Sequence, residues 1–189
     1  MSLSTTRRTS IRVRALAGTI LTAALLAPAA TAVAATPAAH HTTAPAATAK
    51  AASPVRTQPL ADGSTAEIYE LGAQHYLVKI VSRGQVYGTL EANQRDAGLD
   101  ANDMFVVLTS GGQVHSWMGG GHRGPGTFKL AGGWTAKVTK IGDLRYRAQI
   151  LGHEGAVYGT LEANQHDTGL DANGVYIVLS AGGVISAHL

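Results

Sequence analysis

Ten polar side chains of this sequence stand in two matched groups. Glu91, Asn93, Asp96, Asp100 and Asn102 recur at the same spacing as Glu162, Asn164, Asp167, Asp171 and Asn173. Each group offers several carboxylate and amide oxygens from one short segment, the donor type that a hard cation such as Ca²⁺ or a polar ligand requires. The spacing differs from that of a helix–loop–helix calcium site, because Ala97, Leu99 and Ala101 intervene and Glu91 precedes the group. The competing account is local: Asp and Asn side chains hydrogen-bond nearby backbone N–H groups and build loops. The ten residues are taken here as a duplicated ligand-binding surface. No metal or other cofactor is expected of it, although a hard cation such as Ca²⁺ would suit its oxygen donors.

Catalytic patterns are sparse. The chain has no cysteine, which removes disulfides, thiolate metal sites and a cysteine nucleophile together. No serine sits in a G-x-S-x-G elbow. His75, His115, His122, His153, His166 and His188 are scattered, without the H-E-x-x-H spacing of a zinc protease. Glu91 with Glu162, or Glu91 with Asp96, are the carboxylate pairs to which acid–base work could be assigned. The run Gly119-Gly120-Gly121-His122-Arg123-Gly124 lacks the Lys-Ser/Thr ending and the following helix of a phosphate loop, and so reads as a linker. His40-His41 falls in Ala/Thr/Pro-rich text and reads as two solvated histidines.

The elements that must position these residues come from an internal duplication. Residues 86–94 and 157–165 both read VYGTLEANQ, and the likeness extends to the paired glycines Gly111-Gly112 and Gly182-Gly183. The repeats span residues 60–117 and 130–189, joined by a Gly-rich linker over residues 118–129. Residues 1–35 read as a signal peptide: Arg7, Arg8, Arg12 and Arg14 precede an uncharged stretch that ends in small residues. The general secretory route fits better than twin-arginine export, because Thr9-Ser10-Ile11 lacks the apolar pair that usually follows the arginines. Residues 36–59 are Ala, Thr and Pro with little else, and read as a disordered spacer. Removing the leader takes four of the 15 basic residues and none of the 12 acids, which leaves a net charge of −1. That balance excludes the basic stripe of a nucleic-acid binder and gives no reason for membrane-surface attraction.

Within each repeat the apolar pattern is that of short strands. Tyr76, Val78 and Ile80 alternate with His75, Leu77 and Lys79, and Tyr146, Ala148 and Ile150 alternate with Arg145, Arg147 and Gln149. From Val86 onward, Val86, Gly88, Leu90 and Ala92 are expected inside and Tyr87, Thr89, Glu91 and Asn93 outside; the alternative turns Tyr87 inward with a bulge at Gly88. Residues 104–109 and 175–180 are continuous apolar runs, expected to be buried on both faces. The Gly-Gly pairs mark hairpins. A unit of about 60 residues without disulfide or metal is marginal alone, so the two units are expected to share one core. The expected class is all-β, with about five strands per repeat, packed as one pseudo-two-fold sandwich or barrel. Trp117 and Trp134 are expected to pack at core edges rather than to stack sugars.

The function expected on these grounds is that of a secreted, non-catalytic β-rich module. It would bind an extracellular polymer or protein through the duplicated acidic and amide segments, with no nucleic acid as partner and no membrane once the leader is cleaved. The alternative is an inhibitor of an extracellular enzyme that presents the hairpin at residues 109–115. A third is a small secreted hydrolase.

Overall fold

Alternation of buried and exposed residues produces a meander of antiparallel strands at the start of each repeat. The computed structural model describes residues 53–189; the leader, His40-His41 and the spacer up to residue 52 lie outside the described residues. Strands β1 (Arg56–Pro59), β2 (Thr65–Gly72), β3 (His75–Ser82) and β4 (Gln85–Asn93) form the first sheet, in that order. Three strands make the second, β5 (Ala97–Ala101), β6 (Met104–Leu108) and β7 (Val114–Met118). After β8 (His122–Arg123), the strands β9 (Gly126–Lys129), β10 (Thr135–Gly142), β11 (Arg145–Leu151) and β12 (Val157–Asn164) form a third sheet. The fourth contains β13 (Thr168–Asp171), β14 (Tyr176–Leu179) and β15 (Val184–His188), with β8 at its edge. All pairings are antiparallel, and none of these sheets closes into a barrel.

The expected core strands are present, and more strands accompany them. The last four residues of the expected spacer form β1, which pairs with β2 from Arg56↔Ile68 to Pro59↔Thr65. The expected linker is structured as well. Its residues form β9 against β10, and β8 pairs with β15 through His122↔Ile185 and Arg123↔Val184. Much of the polar segment assigned to a loop is strand, since residues 97–101 pair with β6 and residues 168–171 with β14.

Val86 was expected inside and is 56 % exposed. Register explains the difference. Ile80 faces Gly88 and Val81 faces Val86, so Tyr87 is the extra residue of a bulge and the alternation breaks there. Tyr158 occupies the same place between the pairs Ile150↔Gly159 and Leu151↔Val157. Beyond the bulge the pattern is as expected, with Leu90 and Ala92 buried and Glu91 and Asn93 exposed.

Among the described residues, the buried side chains group into three clusters. Ile68, Val78, Ile80 and Leu90 of the first sheet meet Met104, Val106 and Leu108 of β6. Val138, Ile150 and Leu161 meet Ile177, Leu179 and Ile185 in the same manner. The third cluster, Phe105, Val107, Trp117 and Val178, draws on both repeats. The continuous apolar run of β6 accounts for this division. Its even-numbered residues face the first sheet, while Phe105 and Val107 face the other repeat.

Candidate functional site

The two duplicated segments approach each other through backbone. A Cβ built on Gly98 would lie 2.6 Å from the Thr168 carbonyl oxygen and 2.7 Å from the Gly169 backbone; one built on Gly169 would lie 2.7 Å from the Ala97 carbonyl oxygen. Only glycine permits that approach between β5 and β13. Asp96 and Asp167 stand on either side of it. Asp96 accepts the Ser110 N–H at 2.9 Å and the Asp171 N–H at 2.9 Å, one on each carboxylate oxygen. Asp167 accepts the Ala181 N–H and the Asp100 N–H, both at 2.8 Å. Each carboxylate thus ties the Gly-Gly hairpin of its own repeat to a strand of the other.

The other eight proposed ligand residues are dispersed around this clasp. Asp100 Oδ1 accepts the Asp103 N–H at 3.1 Å, and Asp171 Oδ1 accepts the Gly174 N–H at 2.7 Å. Asn102 and Asn173 are exposed turn residues, both with φ of +56°. Asn93 and Asn164 end β4 and β12 opposite His75 and Arg145. Glu91 is paired with His75 at 2.7 Å, and Glu162 lies 3.3 Å from Arg145 and 3.0 Å from Arg147. These two arginines hold the Glu162 carboxyl below its ordinary range. Glu91 and Glu162 lie on separate sheets, each with its own basic partner. Among the described residues, no three His, Asp or Glu side chains converge in a way that could hold a metal ion.

Asp100 and Asn102 do line a concavity. It measures about 420 Å³ and is shared with Asp62, Ser64, Tyr87 and an apolar floor that includes Leu99 and Met104. Asp62 Oδ1 accepts both the N–H and the hydroxyl of Ser64, and the hydroxyl bond is the main cause that holds the Asp62 carboxyl below its ordinary range. Burial pushes the Asp100 carboxyl the other way. The Asp103 N–H and Arg123 oppose that rise, and the Asp167 and Asp103 charges add to it. Tyr87 is 70 % exposed, carried outward on its bulge. No Lys or Arg is among the residues that line this cavity.

The aligned place in the second repeat differs in chemistry. Its cavity of about 330 Å³ is lined by Gly132, Trp134, Gly152, Asn173 and Val175, with no carboxylate side chain. Trp134 tilts at 57° against Tyr158, with ring centroids 4.7 Å apart.

A third group lies at the seam. Trp117 is buried and donates its indole N–H to Ser186 at 2.8 Å, and Ser186 donates to the Gly119 carbonyl at 3.0 Å. His115 stacks on Tyr176 at 4.1 Å, and its Nε2 lies 3.1 Å from His188 Nδ1. Burial, with the neighbouring His188 charge, holds the His115 imidazole below its ordinary range, and Asp171 draws it back up. The hairpin proposed for enzyme inhibition is anchored, since Arg56 and Gln58 donate to the Gly112 and Val114 carbonyls at 2.8 and 3.0 Å.

Comparison with models of known protein families, with curated proteins and with solved structures finds no match. The geometry alone therefore carries the functional reading. Sequence reasoning singled out Asp100 and Asn102 but not Asp62, Ser64 or Tyr87 as their neighbours. One signal was available: aligned from Leu60-Ala61 and Leu130-Ala131, Asp62-Gly63-Ser64 falls opposite Gly132-Gly133-Trp134 in otherwise similar text.

Proposed function

We propose that this is a secreted, non-catalytic binding module built from two β-repeats in pseudo-two-fold arrangement, acting on an extracellular polymer or protein. One observation supports the reading above the rest. The first repeat has a cavity of about 420 Å³ with an apolar floor, hydrogen-bonding walls and an exposed tyrosine at 70 % of its full accessibility. Its size and mixed chemistry are those of small-ligand sites. The contact surface thereby moves from all ten duplicated residues to Asp100 and Asn102 with Asp62, Ser64 and Tyr87. Asp96 and Asp167 are assigned to structure, because both oxygens of each carboxylate already accept backbone N–H groups.

Export rests on the leader sequence, and secretion of the full chain with loss of residues 1–35 tests that part directly. The binding part is tested by co-sedimentation of the protein with insoluble extracellular material from the producing culture. The unaltered chain should pellet, and Tyr87→Ala with Asp100→Asn should remain in solution with an unchanged melting temperature. Equal pelleting of the two proteins, or none by either, overturns the assignment.

A further inference from the structure

The two repeats differ in one place where their alignment leads the eye to expect likeness. Tyr87 and Tyr158 both lie on bulges next to Gly88 and Gly159. In the second repeat the chain supplies an aromatic partner for its tyrosine, the Trp134 indole, and Tyr158 is 47 % exposed. In the first, Ser64 stands at the aligned position and Tyr87 is 70 % exposed. The second repeat is thus an internal template for what the first lacks. Asp62 and Asp100 add two carboxylates beside that position; no Lys or Arg lines the cavity, and Arg123 acts on Asp100 from outside it.

We propose that the cavity of the first repeat binds a planar aromatic group bearing a positive charge. Its ring takes against Tyr87 the place that the Trp134 indole holds against Tyr158, and its cation faces Asp62 and Asp100. This deepens the binding reading above and rests on it. The apolar floor of Ile80, Leu99 and Met104 suits the ring edge, and offset or tilted aromatic pairs are favourable beyond their buried area. Asp100 is partly buried and Asp62 exposed, and a carboxylate partly removed from water gains more from a charged donor than an exposed one does. A ligand with the ring alone, or with the opposite charge, forfeits one of the two contributions.

The test titrates the full-length chain by calorimetry with four probes: tryptamine, indole-3-acetate, cadaverine and N-acetyl-Lys-Trp-Lys-amide. Tryptamine should bind at one site per chain, with indole-3-acetate and cadaverine each weaker by about tenfold or more. Ser64→Trp should abolish tryptamine binding by filling the site from within. Tyr87→Ala, at a position too exposed to threaten folding, should weaken it by about fivefold or more. Tighter binding of the peptide than of tryptamine places the aromatic cation on a partner chain, and the reverse makes it a free amine; both support the site. Equal binding of indole-3-acetate and tryptamine overturns the ligand class, as does undiminished binding in both variants. Absence of binding by every ring probe also overturns it. The co-sedimentation result then separates the two failures. If pelleting still depends on Tyr87, the binding reading stands and the ligand chemistry alone is wrong.

Discussion

Replacing Asp96 by alanine removes one acceptor from two backbone donors at once. Ser110 N–H belongs to the hairpin of the same repeat and Asp171 N–H to a strand of the other, each 2.9 Å from a different oxygen. Hydrogen bonds to a charged acceptor contribute about 1.5–3 kcal/mol each, and the half-buried setting argues for the lower end. The expected loss of unfolding free energy is therefore about 3 kcal/mol for Asp96→Ala, and about half of that for Asp96→Asn, which keeps one acceptor oxygen. Asp167→Ala should behave alike, because it orphans the Ala181 and Asp100 N–H groups. Urea unfolding at neutral pH measures the loss. Amide hydrogen exchange assigns it: in Asp96→Ala the Ser110 and Asp171 amides should lose protection together, while Asp100 and Ala181 keep theirs. A stability change under about 0.5 kcal/mol, the ordinary range of surface substitutions, would refute the clasp. So would loss of protection at Ser110 alone, since the contact between repeats would then be absent.

Three further outcomes follow from the same geometry. Gly112→Ala and Gly183→Ala meet both a positive φ (+79° and +81°) and an aromatic ring, Tyr76 or Tyr146, within 2.9 Å of the new Cβ. Gly63→Ala has a φ of +84° with open space around it, so each hairpin variant should be less stable than Gly63→Ala by about 1 kcal/mol or more in urea unfolding; equal losses would mean that the rings yield. The depressed His115 imidazole binds its proton later than the unfolded chain does as the pH falls, so stability present above about pH 6.5 is lost between there and the lower folded value. The melting temperature should drop between about pH 7.5 and about pH 5.5, and His115→Gln should flatten that slope; an unchanged slope removes His115 as its source. Residues 53–118 expressed alone would expose Phe105, Val107 and Trp117. They should melt lower than the whole chain or dimerise through that face, and a monomer that melts equally high would show the seam to be dispensable.

Much of the framework was legible because burial imposes a period that sequence displays. Val78 and Ile80, Ala148 and Ile150, and the unbroken runs in β6 and β14 reveal their faces directly. The missed strands share a physical cause. In β5 and β13 a glycine serves backbone contact between repeats, so Gly98-Leu99-Asp100-Ala101 carries the composition of a loop while its hydrogen bonds are those of a ladder. β8 and β9 lie in Gly-rich text and are only two and four residues long, too short for their alternation to stand out from a linker. The bulges at Tyr87 and Tyr158 shift register by one residue, which is why Val86 and Val157 face solvent against the pattern. The acidic residues posed a harder problem. Oxygen-rich text describes a ligand shell and a backbone clasp equally well, and only the positions of the N–H groups of Ser110, Asp171, Ala181 and Asp100 distinguish them.

That distinction changes how the duplication itself is to be read. Among the residues that match between the copies, Gly98 with Gly169 and Asp96 with Asp167 reach across to the other copy. A contact made reciprocally requires the same residue on both sides, so sameness there follows from assembly and carries no information about a ligand. Residues freed from that requirement can differ, and Asp62 and Ser64 against Gly132 and Trp134 do differ, at a place where the second copy sets an indole against its bulge tyrosine and the first does not. In a chain with two such similar segments, a difference between them therefore says more about a ligand than a match does, and Asp62 and Ser64 put one such difference in the cavity beside Tyr87.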